Sequence, residues 1–355
     1  MTIQVAVMNG YGVALASDRH VYRGGGKLST GQDMKLWRLR GAIPAAMMAA
    51  GPFSVFGTPV ARLALRIEAA LAAAALAETP GGATPEALAE AVLEAVDTPL
   101  AAEPDGQADA QLLADLARQV VRRAQLDTHA AQAGLESVLE ELLAARPCRG
   151  GTMVEAHGRA AWVDAAERVA ALADELRPVI AAHPDLCAQA VGAALARDWR
   201  RDNELFITVA ICCPRSGVPA LVALRLWPGL GGRMHALTRL NADYECAWQA
   251  GRTVVAAQGA GRGAVEAIID GLGEDHWRAL PGAERDRLRP GLDARWERAH
   301  GRLGVANPRE LGGIAAGLVR GAEVAGFLSG ESESTIMPVD WLCLSPREIF
   351  DGVLP

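Results

Sequence analysis

Three side chains near the start of the chain have types that can act together. Thr2 follows Met1 directly. Asp18 ends a β-type run within Ala16-Ser17-Asp18-Arg19, and Lys35 opens another within Met34-Lys35-Leu36-Trp37-Arg38-Leu39. A small second residue permits removal of Met1, which would give Thr2 a free α-amine. The Thr2 hydroxyl is then a nucleophile, and the amine, with an ordinary pKa of about 8, is a built-in base. A lysine ammonium close by would hold down the pKa of both groups. A carboxylate would orient that lysine, as the third group of a triad orients its base. Gly51 follows the small-residue run 42–50 and can offer an unobstructed backbone N–H to an oxyanion. Each residue alone is bland, since an Asp at a strand end commonly terminates the strand or pairs with a neighbouring Arg. As a set they point to nucleophilic attack on a carbonyl.

Other candidate features carry less. Gly259-Ala260-Gly261-Arg262-Gly263 lies between a β-type run and a helical one. It is GxGxG rather than GxGxxG, and no parallel βαβ pattern surrounds it, so it reads as a close-packed turn and not a dinucleotide site. The six cysteines include no CxxC pair, and the seven histidines have no ligand spacing. Neither a metal site nor any other cofactor is expected. Cys212 and Cys213 are adjacent in a β-type run, so they face opposite sides and read as packing residues. Asp164, Glu167, Asp174 and Glu175 read as a solvated helix face. Asp340, in Val339-Asp340-Trp341, reads equally as an inward paired acid or a strand-edge acid.

The elements that must position the first set follow from pattern. Runs 3–7 and 12–16 read as strands around Asn9-Gly10-Tyr11-Gly12, a hairpin signal because Asn and Gly tolerate positive φ. Runs 35–39 and 42–50 read as two more strands, closed by Gly51-Pro52. Residues 59–77 read as a helix with Leu63, Ile67 and Leu71 on one face. Thr84-Pro85-Glu86 reads as an N-cap with proline at the first helical position. Helical patterns recur through 107–145 and 163–199. Strands return at 205–213, 219–226 and 253–257, then a helix over 264–272 and a charged stretch of mixed signals over 273–310. A last helix over 311–327 and a strand over 339–344 follow. Strands and helices are grouped in blocks, which favours antiparallel sheets covered by helices.

Composition bounds the whole. The chain has 355 residues, 50% hydrophobic and 22% charged, enough to bury a sizeable core. With aromatics at only 5%, Ala, Leu, Val and Gly do most of the packing. A net charge of −7 argues against binding nucleic acid, whose phosphates need a basic surface. No apolar run approaches the roughly 20 residues of a membrane span, and no signal-peptide pattern opens the chain. The expected setting is therefore cytoplasmic and reducing.

Thr2-Ile-Gln-Val-Ala-Val, Ala14-Leu-Ala-Ser-Asp18-Arg19, Lys35-Leu-Trp-Arg-Leu and Ala50-Gly51 together resemble the N-terminal signature of proteasome β-type subunits, including their bacterial relatives. Residues 206–226, Thr253 to Gly261 and 326–344 resemble later parts of that fold. Ser334-Thr-Ile-Met-Pro-Val-Asp340 is similar to the ending of the bacterial ancestral-type relatives. The resemblance covers roughly 2–75 and 203–350. It implies an α+β fold, a four-layer αββα sandwich of two antiparallel sheets flanked by helices. The chain would be a single N-terminal-nucleophile-hydrolase domain over 1–355, with 78–202 as a helical insertion or extended helical layer. It further implies a threonine peptidase acting through Thr2, Lys35, Asp18 and Gly51 in a self-compartmentalised homo-oligomeric ring. Peptides or unfolded protein would be the substrate, and an ATP-dependent unfoldase a possible partner. Two departures stand out. Ala260 replaces the serine of the family's Gly-Ser-Gly turn, and the family's Asp-x-x-Ser is matched only by the spacing of Glu331 and Ser334. They leave open a catalytically inactive scaffold with the same fold; a hydrolase of small amides is the third reading.

Overall fold

The structure is a computed structural model that describes residues 3–19, 21–23, 27–29, 35–51, 54–55, 58–76, 83–98, 106–127, 131–148, 150–197, 199, 204–214, 216–238, 248–250, 253–259, 264–265, 267–268, 280–328 and 338–354. Strands β1 (Ile3–Met8) and β2 (Val13–Asp18) form a hairpin, followed by a small pair, β3 (Val21–Arg23) and β4 (Lys27–Ser29). A second hairpin is β5 (Leu36–Leu39) with β6 (Ala45–Ala50), and β7 (Ser54–Val55) pairs with β8 (Thr58–Pro59). Seven helices come next: α1 (Val60–Leu76), α2 (Pro85–Asp97), α3 (Gly106–Asp127), α4 (Ala131–Ala144), α5 (Gly151–Leu172), α6 (Arg177–Ala182) and α7 (Pro184–Ala196). Strands β9 (Leu205–Cys212), β10 (Pro219–Pro228), β11 (Met234–Thr238), β12 (Trp248–Ala250) and β13 (Val254–Gly259) follow. Helices α8 (Gly282–Val305) and α9 (Pro308–Leu328) precede β14 (Val339–Leu344) and β15 (Ile349–Leu354).

Two antiparallel sheets result. The first has the order β13-β1-β2-β14-β15; the second has the order β11-β10-β9-β6-β5, with β12 also pairing on β10. Strand alternation makes each sheet apolar on both faces. Ala6, Met8, Val13 and Leu15 meet Ala46, Met48, Ala210 and Cys212 in the core between the sheets. Ile3, Val5, Ala14 and Ala16 face the other way, onto Leu311, Ala315 and Val319 of α9. On the far side Met47, Ile207, Val209 and Val222 pack under Leu63 and Ile67 of α1 and Leu88 and Val92 of α2. The layers therefore run helix, sheet, sheet, helix, which is the αββα sandwich expected from the sequence.

Helices α3 to α7 stand apart from those layers. They share a core of their own, built on Leu113, Val120, Leu135, Val138, Leu142, Trp162, Val191 and Leu195. Helices α5 and α7 cross at Gly158 and Gly192, where a Cβ on Gly192 would lie 2.9 Å from the Glu155 carbonyl oxygen. The body is tied to the second sheet by polar contacts. The Trp227 indole N–H donates to the Leu195 carbonyl at 2.8 Å, and the Asp109 carboxylate accepts from the Gly231 N–H at 3.0 Å. Arg225 pairs with Glu204 and donates to the Trp199 carbonyl at 3.3 Å.

Several local expectations acquire a mechanism. Thr84 caps α2 by accepting from the Ala87 N–H at 3.3 Å, with Pro85 in the first turn. The charged stretch before residue 310 holds a 24-residue helix, α8, with Pro290 inside it. The first hairpin closes through the Asn9 side chain rather than through a positive φ at Gly10. The Asn9 amide oxygen accepts from the N–H groups of Tyr11 (2.8 Å) and Gly12 (3.1 Å). Its amide nitrogen donates to the carbonyls of Leu303 (2.7 Å) and Ala306 (2.8 Å), satisfying the end of α8.

Candidate active site

The site is assembled at one end of the sandwich, where β2 ends and β5 and β1 begin. Asp18 is the last residue of β2 and is 1% exposed, while Lys35 directly precedes β5 and is 5% exposed. Hairpin pairing fixes the second position, because the Ala49 N–H donates to the Lys35 carbonyl at 3.0 Å. The Lys35 Nζ donates to Asp18 Oδ1 at 2.7 Å, a buried ion pair linking the two sheets. Burial pushes the Lys35 ammonium below its ordinary pKa; the charges of Asp18 and of Glu323 act against that loss.

Composition gives this lysine added weight. Of the 35 lysines and arginines in the chain, only Lys27 and Lys35 are lysines. A guanidinium stays charged at any working pH, whereas burial lowers the pKa of an ammonium. One of those two lysines is therefore the buried cation of this ion pair.

The surroundings hold the pair in place. Gln4, wholly buried on β1, donates through its amide nitrogen to the Ala49 carbonyl at 2.5 Å and to Ser17 Oγ at 3.4 Å. It thereby bolts β1 to β6 beside Lys35. The Ser17 hydroxyl donates to the Asp18 carbonyl at 3.1 Å. Outside the pair, Arg19 grips Asp340 of β14 with two hydrogen bonds, at 2.8 and 2.5 Å. Asp340 is thus a paired acid, half-exposed rather than inward. The Arg19–Asp340 clamp pins the end of β2 to β14, next to Asp18.

Gly51 lies just past β6, exposed, at φ 121°, in the region that favours glycine. A Cβ there would collide with the Glu204 carbonyl oxygen, so glycine is required on two counts. Thr2, Glu331, Ser334 and Ala260 lie outside the described residues. Ile3, the residue after Thr2, pairs with Gly259 at the start of β1 and belongs to the α9-facing core. Of the residues expected from the sequence, Asp18 and Lys35 are brought into direct contact, and Gly51 terminates the strand that pairs with β5. Sequence reasoning did not find Gln4, Ser17 or Glu323. For Glu323 a signal existed: it falls among the apolar positions of α9, four residues after Val319, and is 6% exposed.

Among the described residues no group of His, Cys, Asp or Glu is placed to hold a metal ion. Burial pushes the thiols of Cys212 and Cys343 up to about 12, so they are inert packing groups at neutral pH. A surface cleft of about 710 Å³, lined by Trp37, Arg38, Arg40, Ile43 and Arg347, lies at the other end of β5 and not at Lys35.

No protein-family model and no curated protein sequence matches the chain. Solved structures similar to it include an Anbu (Gly-1) mutant from Hyphomicrobium sp. strain MC1, with 11% identity over 99% of this chain and 87% of that one, at a TM-score of 0.37. Anbu (ancestral beta-subunit) from Yersinia bercovieri has 11% identity over 98% of this chain and 86% of that one, at a TM-score of 0.34. These neighbours correct the sequence's resemblance to proteasome β-type subunits, because Anbu is a distinct family. The matched motifs describe only the strand ends that frame one site, and such a frame does not distinguish one family from another. A likeness of this size carries no chemistry, which rests on the side chains of this chain.

Proposed function

We propose that the chain is a hydrolase in which Thr2, exposed by removal of Met1, is an N-terminal nucleophile that cleaves peptide bonds. The observation that supports this reading is the buried Lys35–Asp18 pair at 2.7 Å, two strand ends away from solvent and beside the first residues of β1. A buried ion pair gives little net stability compared with apolar packing, so its presence at two strand ends favours a chemical role.

In the proposed cycle the Thr2 hydroxyl gives its proton to its own α-amine, and Thr2 Oγ attacks the substrate carbonyl. The Lys35 ammonium lowers the energy of the developing alkoxide, and Asp18 keeps that ammonium aimed. The Gly51 N–H donates to the tetrahedral oxyanion. Collapse expels the amine, which takes the proton from the Thr2 ammonium and leaves an acyl ester. Water then hydrolyses the ester and restores the free hydroxyl. Self-association into a ring that encloses the Thr2 sites, with peptides or unfolded chains as substrate, belongs to the same proposal.

Mass spectrometry of the purified protein, together with turnover of a fluorogenic peptide, tests it. The expected mass lacks Met1, and Thr2→Ala is expected to reduce turnover by at least about a thousandfold, as loss of a covalent nucleophile does. Met1 retained on all copies, or a Thr2→Ala protein as active as the native one, would overturn the proposal. Turnover confined to small amides would move the substrate class and leave the nucleophile in place.

A further inference from the structure

Helix α9 covers the face of β1 and β2 that carries Ile3, Val5, Ala14 and Ala16. It brings one buried carboxylate with it. Glu323 is 6% exposed, and Arg320, one turn earlier, pairs with it at 3.6 Å. Arg320 in turn donates to the Leu354 carbonyl at the end of β15, at 3.2 Å. Asp18 lies on β2 with the parity of Ala14 and Ala16, the residues that face α9. Leu354 pairs with Val339, which pairs with Asp18, so Arg320 and Glu323 lie at the end of the sheet where Asp18 holds Lys35. Two ion pairs, Lys35 with Asp18 and Arg320 with Glu323, are thus gathered at one end of the first sheet. A lone Lys35–Asp18 pair needs no third charge for neutrality, and a carboxylate on an apolar helix face costs several kcal/mol of desolvation unless it is compensated.

We propose that Glu323 is a positioning residue of the Thr2 site: a second buried carboxylate that holds the Lys35 ammonium charged from the helix side, while Asp18 anchors it from the strand side. This inference rests on the reading of Lys35 as the cation of the Thr2 site, but its test does not need turnover. Removing the negative charge of Glu323 takes support from the charged form of Lys35, so the lysine loses its proton at lower pH. Removing Arg320 frees the carboxylate from its counter-charge and moves Lys35 the opposite way. Among the described residues, the charges acting on Lys35 are Asp18 from β2 and Glu323 from α9. Arg19 is committed to Asp340 on β14.

The chain is well suited to a direct measurement, since Lys27 and Lys35 are its only lysines. Full-length protein labelled with 13C-lysine gives two side-chain signals, and Lys27→Arg assigns them. The Lys35 titration midpoint is expected to fall by about one pH unit in Glu323→Gln, as loss of one nearby charge in a protein interior does. It should stay near the native value in Glu323→Asp and rise in Arg320→Gln. In the active enzyme the alkaline limb of kcat/KM should move down with the midpoint in Glu323→Gln. An unmoved Lys35 midpoint in folded Glu323→Gln would overturn the proposal. So would equal shifts in Glu323→Gln and Glu323→Asp, which mark a packing role. Were Thr2→Ala to prove fully active while these midpoints moved as expected, the hydrolase reading would fall and the electrostatic role of Glu323 would stand.

Discussion

The Lys35–Asp18 ion pair is buried at two strand ends, and its structural weight and the chemical role proposed for it can be tested apart. Removing one partner leaves the other charged and buried. Asp18→Asn is therefore expected to destabilise the fold by roughly 3–5 kcal/mol, read from denaturant unfolding. The joint replacement Asp18→Leu with Lys35→Met removes both charges and should recover most of that loss. Turnover should stay absent in the joint variant. Recovery of activity with recovery of stability would mean that the pair is only structural. The pair was legible in the sequence because its types and spacing fit one chemical task at two strand ends. Gln4 and Ser17 were not, since a buried glutamine is indistinguishable from a surface one until β6 and β2 come beside it. Glu323 had a signal in its place among the apolar positions of α9, but only the packing of α9 on β1 and β2 showed what it stands beside.

At the level of elements, pattern reading succeeded where burial imposes a period and weakened where it does not. Strands β1, β2, β6, β9 and β10 are apolar on both faces because both are covered, and their runs stood out. Helix α8 did not, because it is largely exposed and contains Pro290 and Gly291, so neither an apolar stripe nor propensity marks it. Strand β15 was missed for a similar reason: it is an edge strand of half-buried and exposed residues. Asn9-Gly10 marked the right turn for the wrong reason. Its asparagine side chain both closes the hairpin and accounts for two carbonyls at the end of α8. Asn9→Ala should accordingly loosen two elements distant in sequence. A loss of about 1–3 kcal/mol is expected, with faster amide exchange both in the β1–β2 turn and in the last turn of α8. Exchange changed in the turn alone would mean that the α8 contacts contribute nothing.

The whole molecule is a sandwich of stacked apolar layers with a helical body attached. Helices α3 to α7 come from the Ala-rich, aromatic-poor stretch between the two strand-rich blocks, whereas α2, also in the stretch 78–202, packs with the sandwich. The manner of attachment was not legible, since it depends on single polar contacts between residues far apart in the chain. Apart from Leu230, the core of α3 to α7 takes its residues from the helical stretch that ends at Trp199. The ties from Trp227, Asp109 and Arg225 are hydrogen bonds, and the apolar contact beside them is small: Trp227 packs on Cys148 and Val154. Cooperativity between packed regions follows shared apolar burial, so the body should open without the sandwich. Leu135 is fully buried between α3 and α7, and its truncation leaves a cavity worth about 2–5 kcal/mol. Leu135→Ala should then lower amide protection throughout α3 to α7 by up to the same amount, in hydrogen exchange read by mass spectrometry. Protection in β1, β2 and β6, and with it the geometry around Lys35 and Asp18, should stay at the native level. Equal loss in those strands would show one cooperative unit, and would mean that these few ties transmit as much stability as a shared core.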